Sequence, residues 1–227
     1  VVNHFCHSEF FFELEPKSYF LLDPAFFNDT HTNKNVEEQV GKTMDILINQ
    51  VNWEIHLYVP YRNRNARNLR ILKEHKNFKI HYINYVPAKG GFRRINQWLY
   101  DRDLATPQCQ NILVFTLFLQ TRKETKEIFL FGAENSWHVD VRVNKENQLV
   151  FQDVHMYEER KEITERVLLG TSMADLLESS VKVFKAYAEI EDYSRKKNVQ
   201  IYNCSKNSFI DSFKRLDDDE FNKMFMQ

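Results

Sequence analysis

Glycine is scarce in this chain, with 5 residues in a sequence of 227. Loops that cradle phosphate groups need closely spaced glycines, because their backbone must approach the ligand without a Cβ atom in the way. Neither GxGxxG nor GxxxxGK followed by Ser or Thr occurs in the sequence. This absence lowers the expectation of a dinucleotide-dependent enzyme or a P-loop nucleotide hydrolase.

Cysteine is also rare, and long apolar runs are missing. The 3 cysteines, Cys6, Cys109 and Cys204, are odd in number, widely separated and not arranged as CxxC. This pattern favours reduced thiols in a cytosolic protein over a disulfide framework. No apolar run approaches the ~18 residues that span a bilayer, and the N-terminal VVNHF has no secretory signal pattern. The sequence therefore predicts a cytoplasmic location, with peripheral contact at an inner membrane left open.

Neither sign of charge dominates, since 31 basic and 32 acidic residues give a net charge of −1. A protein held on nucleic acid mainly by phosphate contacts has a basic excess, so we expect no nucleic-acid partner. Cations are nevertheless concentrated at Arg62, Arg64, Arg67 and Arg70, and again at Lys89, Arg93 and Arg94. The pattern alone favours solvated surfaces there over docking sites for an anionic membrane or for a phosphorylated or lipid-linked acceptor.

Aromatic residues are abundant, with 19 Phe and 10 Tyr, and strand patterns alternate with helix patterns. The predicted strands are Tyr19–Leu22, Ile55–Val59, Phe78–Val86, Ile128–Phe131 and Val199–Tyr202. The predicted helices are Val36–Gln50, Asn63–His75, Phe92–Tyr100, Cys109–Thr121 and Asp175–Lys197, and a further helix is expected to begin in Phe209–Phe213. This alternation predicts an α/β fold with a mostly parallel, Rossmann-like sheet and helices on both of its faces.

A single domain is predicted over residues 1–227, because no linker or low-complexity tract divides the chain. Val141–Val143 and Leu149–Phe151 are typical of a small hairpin. The hairpin lies in a polar insertion, residues 133–170, which we interpret as a lid. The acidic run Asp217–Glu220 is expected to be a solvated tail.

The densest group of chemistry-bearing side chains lies between Lys126 and Tyr157. There a strand pattern ends at Gly132, and the residues that follow include Glu134, Asn135, Trp137, His138, Asp140, Arg142, His155 and Tyr157. Ligands of α/β sheets bind at the carboxyl ends of strands. We therefore expect the chemistry to lie in this segment.

His155 is the candidate general base. An imidazole has an ordinary pKa of ~6.5, which suits it to accept a proton from a sugar hydroxyl near neutral pH. Asp153 or Glu158 would orient it, and Tyr157 would donate a hydrogen bond to a departing phosphate. Without further information, a surface histidine on a loop is an equally good interpretation of the spacing, and Trp137 is either a stacking platform or part of the packing.

Two polar segments lie nearer the N-terminus. One contains Asn3, His4, Cys6, His7 and Glu9. No second Cys/His cluster completes a metal ligand set, so a polar loop that touches a ligand is favoured over a metal site. The other is Asp23-Pro24, where a turn aspartate and a carboxylate at the sheet edge are equally good interpretations.

The segment Tyr202–Ser208 follows the last predicted strand. Ser205, Asn207 or Ser208 is expected to cap the next helix, whose free N–H groups also attract phosphate. A plain helix cap is the simpler interpretation. The GxSxG signature of serine hydrolases is absent from the sequence.

Four of these segments, in this order, resemble bacterial sialyltransferases of the lipooligosaccharide type (glycosyltransferase family 42) and related surface-polysaccharide enzymes. They are Val1–Phe5, Phe20–Pro24, Lys126–Glu134 and Asn203–Ser208. Asp23 stands where that family often has Asn, and Gln108-Cys109-Gln110-Asn111 stands where it has Thr-Ser-Gly. The family's Gly-x-Gly-Pro-Ser nucleotide loop would lie before Val1, so we expect it to be missing from this sequence.

The resemblance implies a GT-A-like variant of the α/β fold and an inverting transfer from a CMP-activated acidic sugar to a glycan or glycolipid hydroxyl, without metal or other cofactor. His155 takes the place of the catalytic base, and tyrosines such as Tyr157 stabilise the departing phosphate. The expected substrate contacts are Asn3, Asp23, Gln110, Asn111, Gly132, Glu134, Trp137, Asn207 and Ser208. Among these, Asn3 takes the place of the residue that contacts the cytidine nucleotide.

Two other classes of function remain open. A pterin pyrophosphokinase-like phosphotransferase would require Mg²⁺, for which Asp23, Glu134 and Asp140 are candidate ligands. A non-catalytic scaffold of a polysaccharide assembly complex is the other alternative, which the expected lack of the nucleotide loop suggests. The fold does not choose among these functions, because α/β sheets support many of them. The many aromatic residues also allow a homo-oligomeric interface.

Overall fold

The computed structural model describes residues 1–28, 34–88, 90–123, 125–153 and 164–225. Two compact units are present. Unit 1 contains Val1–Pro87 and Arg102–Thr106, and unit 2 contains Ala88–Asp101 and Pro107–Gln227. The single domain expected over residues 1–227 stays a prediction.

Unit 1 is built on a three-stranded parallel sheet in the order β1-β2-β3, formed by Ser18–Phe20, Ile55–Pro60 and Phe78–Ile83. Its helices are α1 (Phe10–Leu14), α2 (Lys34–Asn49) and α3 (Arg67–Glu74). Short 3-10 turns occur at Asn3–His7, Pro24–Phe27 and Tyr61–Asn63. Parallel neighbours need crossover connections, and α2 and α3 lie in the chain between the successive strands.

The core of unit 1 follows from the two sequence periods. In β2 alternate residues Ile55, Leu57 and Val59 are buried, as expected for a strand with one face on a core. In α2 the buried residues include Val40, Met44 and Leu47, which lie on one face at a spacing of three to four residues. These side chains form one cluster, so packing of helices on one sheet face stabilises unit 1.

Unit 2 contains a second parallel sheet in the order β4-β8-β9, formed by Glu127–Leu130, Gln200–Asn203 and Lys214–Arg215. Its helices are α4 (Arg93–Asp101), α5 (Ile112–Thr121), α6 (Met173–Lys196) and α7 (Asp218–Phe225). The longest, α6, begins at a reciprocal cap in which Ser172 and Asp175 bond to each other's backbone N–H groups. Such a cap satisfies donors that the first helical turn leaves free.

A third, antiparallel sheet lies within residues 133–170. It consists of β5 (Val141–Val143), β6 (Leu149–Asp153) and β7 (Thr164–Val167), in that order. The predicted hairpin is therefore confirmed, and β7 is an additional strand. The lid function of this insertion stays a prediction.

The α/β class is confirmed, with parallel strands divided between two small sheets. Two local predictions are wrong, namely the helix that begins in Phe209–Phe213 and its cap at Ser205, Asn207 or Ser208, since the next helix begins only at Asp218. Phe209–Phe213 is not helical, and its Ile210 carbonyl accepts a hydrogen bond from the Asn203 side chain at 3.2 Å. The acidic run Asp217–Glu220 is exposed, as expected for solvated charge, and Asp217 and Glu220 form reciprocal caps at the start of α7. Within the described ranges, no helix is long and apolar enough to cross a membrane.

Candidate functional site

The candidate site lies at the carboxyl edge of the parallel sheet in unit 2. Leu130 at the end of β4 is in register with Asn203 at the end of β8, so the chain leaves the sheet at the same edge after each of these strands. After β4 the chain turns at Gly132, whose φ of +65° lies in the left-handed region that glycine adopts readily. This is the edge at which α/β proteins bind ligands.

Hydrogen bonds connect the loop after β4 to the loop after β8. Ala133 donates its N–H to Ser205 Oγ at 2.9 Å, and its carbonyl accepts a hydrogen bond from Ser208 Oγ at 2.6 Å. Phe209 donates its N–H to the Glu134 carbonyl at 2.8 Å. Ser205 and Ser208 are buried, so these bonds hold the two loops in one fixed arrangement.

Asn203 is at the centre of this connection. Its side-chain nitrogen donates to Ser208 Oγ at 3.0 Å and to the Ile210 carbonyl at 3.2 Å, and its side-chain oxygen accepts from the Ser205 N–H at 3.0 Å. The Arg215 guanidinium also donates to the Ser208 carbonyl. The Asn203 side chain is 1% exposed, so its hydrogen bonds all go to the protein frame.

A cluster of two amides and one phenol lies in the same unit. Asn135 and Asn111 donate their side-chain N–H groups to the Tyr187 hydroxyl at 2.7 and 3.1 Å. Asn111 also begins α5, where its side-chain oxygen accepts from the Val114 N–H at 2.9 Å. These bonds bring together α5, α6 and the loop after β4.

The chemistry of Tyr187 follows from its burial. Its ring is fully buried, and burial raises the pKa of the hydroxyl, while the hydrogen bonds from Asn111 and Asn135 oppose that shift. The hydroxyl therefore stays protonated near neutral pH. The hydroxyl accepts hydrogen bonds from both amides, so the buried Tyr187 is suited to fix the positions of the partly exposed Asn111 and Asn135 side chains.

Aromatic side chains lie beside this cluster. His138 contacts Phe209 and Phe184 edge-on, with ring centroids 4.7 and 6.1 Å apart, and Phe184 is 6.5 Å from the Tyr187 ring. Trp137, next in the chain, is 52% exposed. We use the name polar edge of unit 2 for the side chains of Asn111, Asn135, Tyr187, Asn203, Ser205 and Ser208. The aromatic residues Trp137, His138, Phe184 and Phe209 form its border.

The structure places seven expected substrate contacts in unit 2, namely Gln110, Asn111, Gly132, Glu134, Trp137, Asn207 and Ser208. The loop hydrogen bonds bring Gly132, Glu134 and Ser208 close together, and Asn135 connects that loop to Asn111. Gln110 and Asn207 are exposed. The expected catalytic pair, His155 and Tyr157, lies outside the described residues.

Asn3 and Asp23 lie in unit 1. Asn3 follows Val2, which pairs with Phe20 beside β1, and its side-chain oxygen is buried without a hydrogen-bond partner in the described ranges. Asp23 accepts a hydrogen bond from the Ala25 N–H at 2.9 Å and caps the 3-10 turn that begins at Pro24. The turn interpretation of Asp23 is therefore confirmed, while its contact with a substrate stays a prediction.

The N-terminal histidines pack against a threonine. His4 Nδ1 and His7 Nε2 lie 2.7 and 2.9 Å from Thr43 Oγ1 on α2. Burial, followed by the charges of His4 and Lys42, lowers the pKa of His7 to about 4, which keeps its imidazole neutral near pH 7. Across the described part of the chain, no three His, Cys, Asp or Glu side chains are grouped to hold a metal ion.

Sequence reasoning missed the role of Tyr187. It lies on a helix stripe with the buried residues Val183, Ala186 and Ile190, so the sequence predicts only core packing there. The available signal was a hydroxyl on an otherwise apolar stripe, because buried tyrosines usually find a hydrogen-bond partner. Asn135 gave a weaker signal, because asparagine is one of the few residues that tolerate the left-handed backbone region, where its φ of +52° lies.

Comparisons of this chain with protein-family models, with curated proteins and with solved structures find no match. Residue chemistry is therefore the basis for assigning a function to this protein. The polar edge consists of neutral amides and hydroxyls, and its partly exposed amides, Asn111 and Asn135, can donate to and accept from a ligand rich in hydroxyl groups.

Proposed function

We propose that this protein transfers sialic acid or a related acidic sugar from a CMP-sugar to a hydroxyl of a bacterial surface glycan or glycolipid, with inversion and without metal. The polar edge of unit 2 is the observation that carries the proposal. Its amides and phenol, from Asn111, Asn135 and Tyr187, form a partly buried, neutral group of hydrogen-bonding side chains. Few, precisely placed polar groups of this kind give orientation and specificity in sites for small polar ligands.

In the proposed reaction the acceptor hydroxyl attacks the anomeric carbon of the donor sugar from the face opposite the phosphate. His155 accepts the hydroxyl proton as the new C–O bond forms. The bond between the sugar and the phosphate breaks, and CMP leaves with the bonding electron pair. Tyr157 donates a hydrogen bond to the departing phosphate, and the displacement inverts the anomeric centre.

The described residues have supporting roles in this proposal. The buried Tyr187 hydroxyl holds Asn111 and Asn135 in place, and these partly exposed amides bind an oxygen of the sugar. The exposed Trp137 ring packs against an apolar face of the sugar. The family resemblance assigns the contact with the cytidine nucleotide to Asn3.

Insertion 133–170 is the proposed lid. Closure over the donor would exclude water, which otherwise hydrolyses an activated sugar. The protein is proposed to work on the cytoplasmic side of the inner membrane, where its acceptor is a growing glycan or glycolipid.

The first test is thermal stabilisation of the protein by CMP, CDP, UDP, GDP and ATP, each with and without Mg²⁺. We expect CMP to raise the melting temperature most, with no requirement for Mg²⁺, because binding to the folded state alone stabilises it. Stabilisation only by ATP or GTP with Mg²⁺ would instead favour a pterin pyrophosphokinase-like phosphotransferase. No shift with any nucleotide would favour a non-catalytic scaffold.

The second test addresses the base. His155→Ala is expected to lower transfer from a CMP-sugar by about 10²–10⁴-fold, because general base catalysis contributes that much. CMP binding by this variant should stay close to that of the original protein. Full transfer activity in His155→Ala would contradict the base assignment and leave the nucleotide assignment untouched.

A further inference from the structure

A continuous exposed row of cations lies in unit 1, after β2. Its members are Arg62, Arg64, Arg67, Arg70 and Lys73, which we name the arginine face. All are exposed, and none forms an ion pair with another residue in the described ranges. Exposed arginines usually have carboxylates nearby, but the one acidic residue between positions 55 and 74 is Glu74, at the end of α3.

The packing of α3 fixes the direction of this row. Leu69 and Leu72 are buried, and Asn68 donates its side-chain N–H to the Phe26 carbonyl at 2.9 Å, so this side of the helix faces the core of unit 1. Arg67 and Arg70 lie on the opposite side, together with Glu74 and with Ile71, which is 40% exposed. The outward side of α3 is thus mainly basic, with one carboxylate and one apolar side chain.

Tyrosines extend the arginine face at the carboxyl ends of β2 and β3. The Arg64 guanidinium lies 4.4 Å from the centroid of the Tyr61 ring, and Arg62 lies 5.8 Å from that of Tyr85. Tyr61 also meets Tyr82 edge-on at 6.2 Å, and these two rings are 55% and 39% exposed. Cation–π contacts therefore join the cations and exposed rings into one surface.

The form of this surface indicates the kind of anion that it fits. From Arg67 to Lys73 the cations extend over about 9 Å of helix axis at 1.5 Å per residue, so they form a row and do not converge on one phosphate. Single-stranded nucleic acid would need free ring faces for stacking, whereas guanidinium groups already cover a face of Tyr61 and of Tyr85. An extended array of phosphates with an apolar layer behind it fits better.

We propose that the arginine face docks the protein on the anionic headgroups of a lipid bilayer. The cations bind lipid phosphates, while Tyr61, Tyr82 and Ile71 lie at the level of the headgroups, where amphipathic rings are favoured. This inference does not depend on glycosyl transfer, and it explains how a protein could be concentrated at a membrane that holds a lipid-linked acceptor.

The test is co-sedimentation of the protein with phosphatidylcholine vesicles that contain or lack phosphatidylglycerol, without donor or acceptor. We expect binding to the anionic vesicles and a decrease of that binding as NaCl is raised. The variant Arg62→Gln/Arg67→Gln/Arg70→Gln should bind the anionic vesicles more weakly by about fivefold for each cation removed, on the order of a hundredfold in total.

The matched control removes the same charge elsewhere on exposed sites, in Lys17→Gln/Lys34→Gln/Lys145→Gln. It should bind anionic vesicles nearly as well as the original protein. Equal losses in the two triple variants, or equal binding to neutral and anionic vesicles, would overturn the proposal. Tight binding of a single-stranded oligonucleotide with no vesicle binding would also overturn it. Since no sugar donor is present, an inactive transferase could still bind the vesicles.

Discussion

The polar edge of unit 2 and the arginine face of unit 1 both follow the carboxyl ends of parallel strands, but they use opposite chemistry. At the polar edge, side chains such as Asn203 and Tyr187 are buried and neutral, and they are hydrogen-bonded to Ser208 and to Asn135, respectively. On the arginine face, side chains such as Arg67 and Arg70 are exposed, charged and without ion-pair partners in the described ranges. The first arrangement fixes geometry before a ligand arrives, and the second acts through charge with little fixed geometry.

This difference has consequences for mutation. Each buried group at the polar edge has several partners, so loss of one leaves others without a hydrogen bond in a low-dielectric setting. Each cation on the arginine face contributes independently, so losses should add and should decrease at high salt. Stability should therefore respond to the polar edge, and surface binding to the arginine face.

The largest expected effect on stability is that of Asn203→Ala. The change removes three side-chain hydrogen bonds and leaves Ser208, Ser205 and the Ile210 carbonyl short of partners. We expect a loss of about 2–4 kcal/mol in the free energy of unfolding, measured by urea denaturation. The control Asn222→Ala, at an exposed position of α7, should change it by less than about 0.5 kcal/mol. Equal effects would show that the loop hydrogen bonds contribute little.

Tyr187→Phe is expected to have the next largest effect. It removes the hydroxyl that accepts from Asn111 and Asn135, at a cost of about 1–2 kcal/mol in unfolding free energy. The control Tyr100→Phe removes an equally buried hydroxyl, which donates a hydrogen bond to the Glu189 carboxylate at 2.6 Å. Neither of these residues belongs to the polar edge. Both variants should lose stability. Only Tyr187→Phe should also weaken binding of a CMP-sugar, by about tenfold in a titration.

If the two tyrosine variants bound the CMP-sugar equally well, Tyr187 would be a structural residue and the polar edge would not be the sugar site. The measurement thus separates pre-organised recognition of the sugar at the polar edge from plain core packing.

Much of this architecture could be predicted from local patterns. The helical period identifies α2 and α6, and alternation with bounding Pro or Asn residues identifies β2 and β8. Such patterns depend on residues close in sequence, where side-chain spacing alone decides which face is buried.

The failures have one physical cause, which is side-chain hydrogen bonding between residues that no helix or strand period relates. Phe209–Phe213 has apolar residues compatible with a helix. The Asn203 side chain and the Arg215 guanidinium instead donate hydrogen bonds to the Ile210 and Ser208 carbonyls, and the segment is extended. Tyr187 is recruited by Asn111, 76 positions earlier. A single sequence does not encode such partners in any local period, so the polar edge became visible only in three dimensions.

The pH dependence of unfolding should distinguish the two units. In unit 1 the folded pKa of His7 is about 4, below the ordinary value of 6.5. The unfolded state therefore binds more protons between these values, so stability contributed by neutral His7 is complete above pH 6.5 and is lost as pH falls toward 4. His7→Gln should flatten the decrease in urea midpoint over this window. An unchanged slope would contradict the assignment.

In unit 2 the relevant acid is Asp101. Burial acts to raise its pKa, but hydrogen bonds from Lys196, Lys197 and Tyr193 outweigh burial and lower the pKa below its ordinary value of 3.8. Stability from this carboxylate is present above that value and is lost at lower pH, as the carboxylate becomes protonated. Asp101→Asn should therefore alter the acid limb below about pH 4 and leave the His7 window unchanged.

The smallest expected effects come from a pair of glycine substitutions with opposite signs. Gly132, where the chain enters the polar edge, has a φ of +65°, and Gly41 lies inside α2 with nothing within 4 Å of an added Cβ atom. Gly132→Ala should lower the unfolding free energy by about 1 kcal/mol, because a Cβ atom is strained in the left-handed region even with open space around it. Gly41→Ala should raise it by about 0.5–1 kcal/mol, because alanine loses less conformational freedom in a helix. The same added methyl group thus tests whether the turn at the polar edge is held in one backbone conformation, since a loop free to change its φ would accept alanine at position 132 with no loss.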